Sequence, residues 1–176
     1  YGQGQWASSI RYHDGKFYVF FATNRPPKSY LFSATDPAGK WEKVMDSRVL
    51  HHDTGLLFDD DGKKYIIGGG STVHLQQLKD DLSDVDPNGL DKILFRGADR
   101  GLRGLLEGLH IQKIDGKYYI FMIWWPGGDI RQEVCFRSDN LEGPYEQKIV
   151  LHSNLDRPNA GVAQGCIVDT PDGEWY

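Results

Sequence analysis

The chain has 176 residues, enough for one domain with a sizeable core. Its 25 acidic and 20 basic residues give a formal charge of −5, so there is no basic field to hold phosphate backbones and nucleic acid is not an expected partner. No apolar run approaches the roughly 18 residues that cross a bilayer, so no membrane partner is expected either, and 12% aromatic residues with 21 glycines suit a β-rich fold with tight turns and rings available to sugars.

From the amino terminus, Trp6 to Ile10 leads into the first of four Asp-Gly turns, Asp14-Gly15, flanked by Arg11-Tyr12-His13 and Lys16-Phe17-Tyr18-Val19. Asp-Gly between apolar segments is a strong hairpin signal, because both residues tolerate the positive φ of a type I′ turn. The signal returns at Asp61-Gly62, Asp115-Gly116 and Asp172-Gly173. Residues 16–22, 65–69 and 118–124, each following a turn, are apolar on both faces, as the inner strand of a packed sheet would be. Leu31-Phe32-Ser33-Ala34 and the segment after Asp36-Pro37 read as more polar outer strands, and Cys135-Phe136-Arg137-Ser138 with Gly143-Pro144-Tyr145-Glu146 copies them. Residues 79–92 read as a long loop, whose Asp80, Asp81, Asp84 and Asp86 lack the glycine and terminal glutamate of an EF-hand. Cys135 and Cys166 lie in apolar, strand-like runs, the setting of buried free thiols.

The turn aspartates are 47, 54 and 57 residues apart, and Phe32, Gly39, Trp41 and Glu42 recur 104 residues later as Phe136, Gly143, Tyr145 and Glu146. Both markers give a period near fifty, the signature of four-stranded propeller blades. The expectation is an all-β fold, residues 1–176 forming a single partial propeller domain. Roughly two complete blades with partial ones on either side, three to four in all, leave the first blade and the closure missing, since a propeller closes to remove its edges.

Leu105-Leu106-Glu107-Gly108-Leu109-His110 sets a carboxylate among leucines ahead of the third hairpin, where desolvation lets an acid keep its proton near neutral pH. An ordinary loop carboxylate is the alternative. Asp53 holds the matching position one blade earlier, with a capped turn residue as its alternative; paired, the two would face one axial funnel. Trp6, one blade earlier again, is a sugar platform or a core ring. Trp124 and Trp125 are neighbours, so within a strand only one reaches the funnel. His110 is assigned to the loop backbone, and Arg131 and Arg137 to substrate hydroxyls or to surface salt bridges.

These segments resemble glycoside hydrolase family 43, five-bladed propeller glycosidases of xylan and arabinan side chains, and especially its β-xylosidase-like members. Trp6-Ala7-Ser8-Ser9-Ile10 is similar to the family's W-A-P-S/D-I/V, His52-Asp53-Thr54-Gly55 through Asp61-Gly62 to its D-P-x-x-F-x-D-D-D-G, and Glu107-Gly108-Leu109-His110 to its E-G-P/S-H. The resemblance implies an inverting, exo-acting hydrolase releasing terminal β-D-xylose or α-L-arabinofuranose from oligosaccharides, with Glu107 as general acid and Asp53 raising its pKa and holding its orientation. The family's general base is an aspartate ahead of the W-A-P segment. Nothing before Trp6 supplies one, so the chain alone is expected to be inactive. Ser8 and Leu109 depart from the family pattern. Gln164, counted with Trp6, Trp124, Trp125, Arg131 and Arg137 as substrate-facing, stands where many members carry a histidine near an axial calcium, so no metal or other cofactor is expected. Polymeric substrates point to a secreted or periplasmic enzyme, although short oligosaccharides are also processed inside cells. A non-catalytic sugar-binding propeller is the alternative; a protein-interaction propeller would carry Gly-His and Trp-Asp signatures absent here.

Overall fold

The computed structural model describes residues 4–156, 161, 164–170 and 172–176. Within them lie twelve strands: β1 (Ser9–His13), β2 (Lys16–Thr23), β3 (Lys28–Ala34), β4 (Glu42–Ser47), β5 (Gly55–Phe58), β6 (Lys64–Gly68), β7 (Thr72–Gln77), β8 (Asp91–Arg96), β9 (Leu105–Ile114), β10 (Lys117–Trp125), β11 (Gln132–Ser138) and β12 (Glu146–Leu151). They form three four-stranded sheets, β1 to β4, β5 to β8 and β9 to β12, each an antiparallel meander in chain order. These are three blades of a β-propeller.

Two of the turns have the geometry that the sequence demands. Asp14 and Gly15 have φ of 48° and 76°, and Asp115 and Gly116 have 48° and 75°, so the tight hairpins β1–β2 and β9–β10 follow the right-handed strand twist. The β5–β6 turn is wider, closed by Gly62 N–H on the Asp59 carbonyl at 3.0 Å. Because each of the first three Asp-Gly turns joins the first and second strands of one sheet, a turn marks one blade; Asp172-Gly173 lies within an isolated bridge, Asp169 to Trp175. The described residues accordingly hold three complete blades, where turn counting suggested two with partial neighbours.

Strand rank within a blade also differs from the sequence reading. The apolar strands after the turns, β2, β6 and β10, are second in their sheets, and β1, β5 and β9 are innermost. Leu56 N–H of β5 reaches Ser9 Oγ of β1 at 3.3 Å, and a Cβ on Gly55 would sit 3.0 Å from the Leu109 and 3.1 Å from the Ile111 side chains of β9. Periodicity could not rank β5 against β6, because the flanking sheets cover both strands and both read as apolar.

The middle sheet buries both faces. Leu56 and Ile66 pack with Phe20, Leu31 and Met45 of the first sheet. Leu57, Tyr65, Ile67, Val73 and Leu75 face the other way, into a core with Leu106, Ile111, Ile120, Met122 and Phe136 of the third. This is period-two alternation with a hydrophobic partner on each side. Cys135 is half-buried on β11, with burial pushing its thiol up to about 11. Cys166, in contrast to expectation, is exposed and outside any strand.

A polar clamp closes the interface between the second and third sheets. The buried Asp59 carboxylate accepts bonds from Lys113 Nζ at 2.5 Å and Tyr118 Oη at 2.6 Å. Burial favours its neutral form, but the Lys113, Tyr118 and Asp60 N–H donors outweigh it and hold the carboxyl below its ordinary value. Tyr118→Phe leaves one buried carboxylate oxygen without its donor and should destabilise the fold by about 1–3 kcal/mol in urea titrations; an unchanged midpoint would refute the clamp.

Candidate active site

The site begins where the chain enters β5. Gly69 N–H and Thr54 Oγ1 both donate to the His52 carbonyl, at 2.9 and 3.3 Å. They turn the backbone so that Asp53 takes a φ of 43° and its carboxylate points inward. On β9, the pairing with β10 is irregular between Phe121 and Ile123, and Gly108 takes a φ of 68° there. Such a glycine bulge redirects the side chain beside it and frees a backbone donor. The freed Gly108 N–H donates to Asp53 Oδ2 at 2.9 Å, a buried bond between the innermost strands of adjacent blades.

Glu107, the residue before the bulge, is thereby brought beside Asp53. His52 completes the group: its Nε2 lies 3.4 Å from Asp53 Oδ2 and 3.6 Å from Glu107 Oε2, and the donor atoms of all three residues fall within 4.8 Å of one another. Trp6, held by its N–H on the Ala22 carbonyl at 2.8 Å, meets the His52 ring edge-on at 5.1 Å between centroids and is 42% exposed. Asp53 is 7% exposed. One carboxylate is therefore fixed and buried, and its half-buried neighbour shares the His52 imidazole with an exposed indole.

Below the carboxylates is an axial cavity of about 190 Å³, lined by Arg11, Asp53, Gly108, His110 and Gln164 among others. The Arg11 guanidinium crosses from β1 to bond the Ile111 carbonyl of β9 and lies 3.3 Å from His110 Nδ1. Burial brings Arg11 down to about 10. Burial first, and the Arg11 charge second, push His110 down to about 3, so its ring is neutral. Gln164 N–H donates to Glu133 Oε2 at 2.7 Å, and its Cγ is 3.4 Å from where a Gly108 Cβ would be.

Residues 1–176 match the family described as glycosyl hydrolases family 43. The chain belongs to that family. It is 34% identical over 185 residues to a putative beta-xylosidase of Xylanibacter ruminicola, covering 100% of this chain and 33% of that protein. A non-reducing end alpha-L-arabinofuranosidase of Bacteroides ovatus is 33% identical over 184 residues, covering 98% and 34%. Among solved structures, a bifunctional GH43-CE protein of Bacteroides eggerthii superposes with a TM-score of 0.88 at 36% identity, over 99% of this chain and 22% of that one. The chain thus spans about a third of the length of these curated relatives.

Family 43 membership raises the question of an axial calcium, and the cavity answers it chemically. Calcium takes six to eight oxygen ligands. Here a guanidinium and a neutral imidazole, neither of them an oxygen donor, share the space. This donor set does not fit calcium.

The other sequence-derived candidates separate into two groups. In the β9–β10 register Ile123 pairs with Glu107, Trp124 with Leu106 and Trp125 with Leu105, so both tryptophans lie at the Glu107 end of their blade. Trp124 is half-buried and donates Nε1–H to the Arg103 carbonyl at 2.9 Å. Trp125 is exposed, with the Arg131 guanidinium over its ring at 4.8 Å. Arg137 is not brought to the site. It pairs with Tyr119 at the far end of the sheet and binds Glu146 Oε2 at 2.9 Å; five residues of strand put it roughly 17 Å below the level of Gln132. His52 went unremarked in the sequence although it adjoins Asp53. Its signal, an imidazole next to a candidate carboxylate, has an equally good local reading as a turn residue.

Because His110 is held neutral far below its unfolded value of 6.5, the unfolded chain binds the proton more readily. Its contribution is complete above pH 6.5 and is lost as pH falls towards 3. Between pH 6.5 and 5, above most carboxylate titrations, His110→Gln should therefore flatten the decline of stability with acidification. An identical slope in wild type and variant would contradict the buried neutral ring.

Proposed function

We propose that the protein is an inverting, exo-acting glycosidase releasing terminal β-D-xylose or α-L-arabinofuranose from xylan- or arabinan-derived oligosaccharides. The observation that carries this reading is the joining of Glu107 to Asp53 through the Gly108 bulge, with Trp6 exposed alongside. Family membership and the names of the xylosidase and arabinofuranosidase relatives support the substrate class.

Glu107 is the general acid: protonated, it donates to the glycosidic oxygen as the bond to the anomeric carbon breaks. Asp53 positions it. An inverting base stands about 6.5–9.5 Å from the acid to leave room for water, and Asp53, within 4.8 Å of Glu107, buried and bonded to Gly108, cannot take that part. The base that deprotonates the water is assigned to none of the residues here. Trp6 offers its ring to a sugar face, and Trp125 with Arg131 forms an outer rim.

The test uses the full-length gene product, whatever it encodes on either side of these residues. Glu107→Gln should lower kcat on xylo- or arabino-oligosaccharides by about 10²- to 10⁴-fold, the span of general-acid contributions. Aryl glycosides with good leaving groups, which need no protonation, should lose far less. Equal activity of both proteins on oligosaccharides, or an equal loss on every leaving group, would overturn the assignment.

A further inference from the structure

His52 has no part in the proton transfer just proposed, yet both its backbone and its ring are held. Its carbonyl is bonded by Gly69 N–H at 2.9 Å, and the Trp6 ring packs on its imidazole. The imidazole Nε2 lies 3.4 Å from Asp53 Oδ2 and 3.6 Å from Glu107 Oε2. A tetrahedral zinc ion with bonds of about 2.0–2.2 Å to nitrogen and oxygen holds its ligands roughly 3.3–3.6 Å apart, with water in the fourth place. Two of the three pairs already have that spacing, and the third lies within 4.8 Å. Among the described residues Glu107 has no polar contact besides His52, so its carboxylate is free to move closer. Asp53 Oδ2 is oriented by Gly108 N–H, as the ligands of metal sites are oriented by outer hydrogen bonds.

We infer that His52, Asp53 and Glu107 form a zinc site whose occupation switches the enzyme off. The switching rests on the reading of Glu107 as general acid: a carboxylate bound to the metal carries no proton to give to a leaving group. One imidazole with two carboxylates suits zinc better than calcium or magnesium, which prefer all-oxygen shells. Two carboxylates also balance the charge of the dication. The ion enters from solvent, since the His52 and Glu107 side chains are both 29% exposed.

The experiment titrates zinc alone against the metal-stripped full-length protein in the presence of a chromophoric zinc indicator, with circular dichroism reporting the fold of each variant. Wild type should bind one zinc ion that His52→Ala and Glu107→Gln bind at least about 100-fold more weakly, since loss of a ligand's outer partner alone costs about 10- to 100-fold. The same zinc additions should suppress pentose release by wild type, with recovery on chelation. Equal zinc binding by wild type and both folded variants would overturn the site, and full activity with zinc bound would overturn the switch. Because the indicator readout needs no turnover, zinc binding without any glycosidase activity would refute the proposed function alone. Pentose release without zinc binding would refute the zinc site alone.

Discussion

One hydrogen bond, from Gly108 N–H to the buried Asp53 carboxylate, sets the geometry on which the site depends. It joins the innermost strands of adjacent blades, and a charge-assisted buried bond of this kind contributes about 1.5–3 kcal/mol. The strands can come this close because of two glycines. Gly55 leaves space that a side chain would contest with Leu109 and Ile111, and Gly108 supplies the positive φ that turns its N–H towards Asp53. Glu107, the residue before the bulge, takes its place from the same backbone distortion.

The interface between the second and third sheets is thus held in two chemically different ways. At one end a backbone donor fixes a carboxylate and leaves its neighbour unencumbered. At the other, the Asp59 carboxylate is saturated by Lys113 and Tyr118. Between them lies an apolar core that includes Leu57, Ile67, Leu106, Ile111 and Ile120. The saturated carboxylate serves the fold, while Glu107, whose one polar partner among the described residues is the His52 imidazole, is left unsaturated. Arg11 brings a positive charge into the central cavity, and burial first, with that charge second, keeps His110 neutral.

The blades were legible in the sequence because Asp-Gly turns carry a backbone requirement that few other residue pairs meet, and the repeat placed Asp53 and Glu107 at matching positions. Other features depend on what lies across a sheet and leave no local trace. The ranking of β5 against β6 was hidden because both are covered. Cys166 sits in an apolar run but is exposed. Arg137 resembled the other basic candidates until the register put it at the opposite end of β11. His52 was missed for a related reason: its partner Glu107 belongs to another blade, and Asp53 and Gly108, which bring the two together, are 55 residues apart.

In the proposed mechanism the scissile bond is broken beside Glu107, over the Asp53–Gly108 tie. The most direct measurement is a crystal structure of the full-length Glu107→Gln protein with a bound xylo- or arabino-oligosaccharide. The glycosidic oxygen is expected within about 3 Å of the residue 107 side chain, with the terminal sugar against Trp6. A saccharide seated away from this pair of blades, with residue 107 untouched, would contradict it.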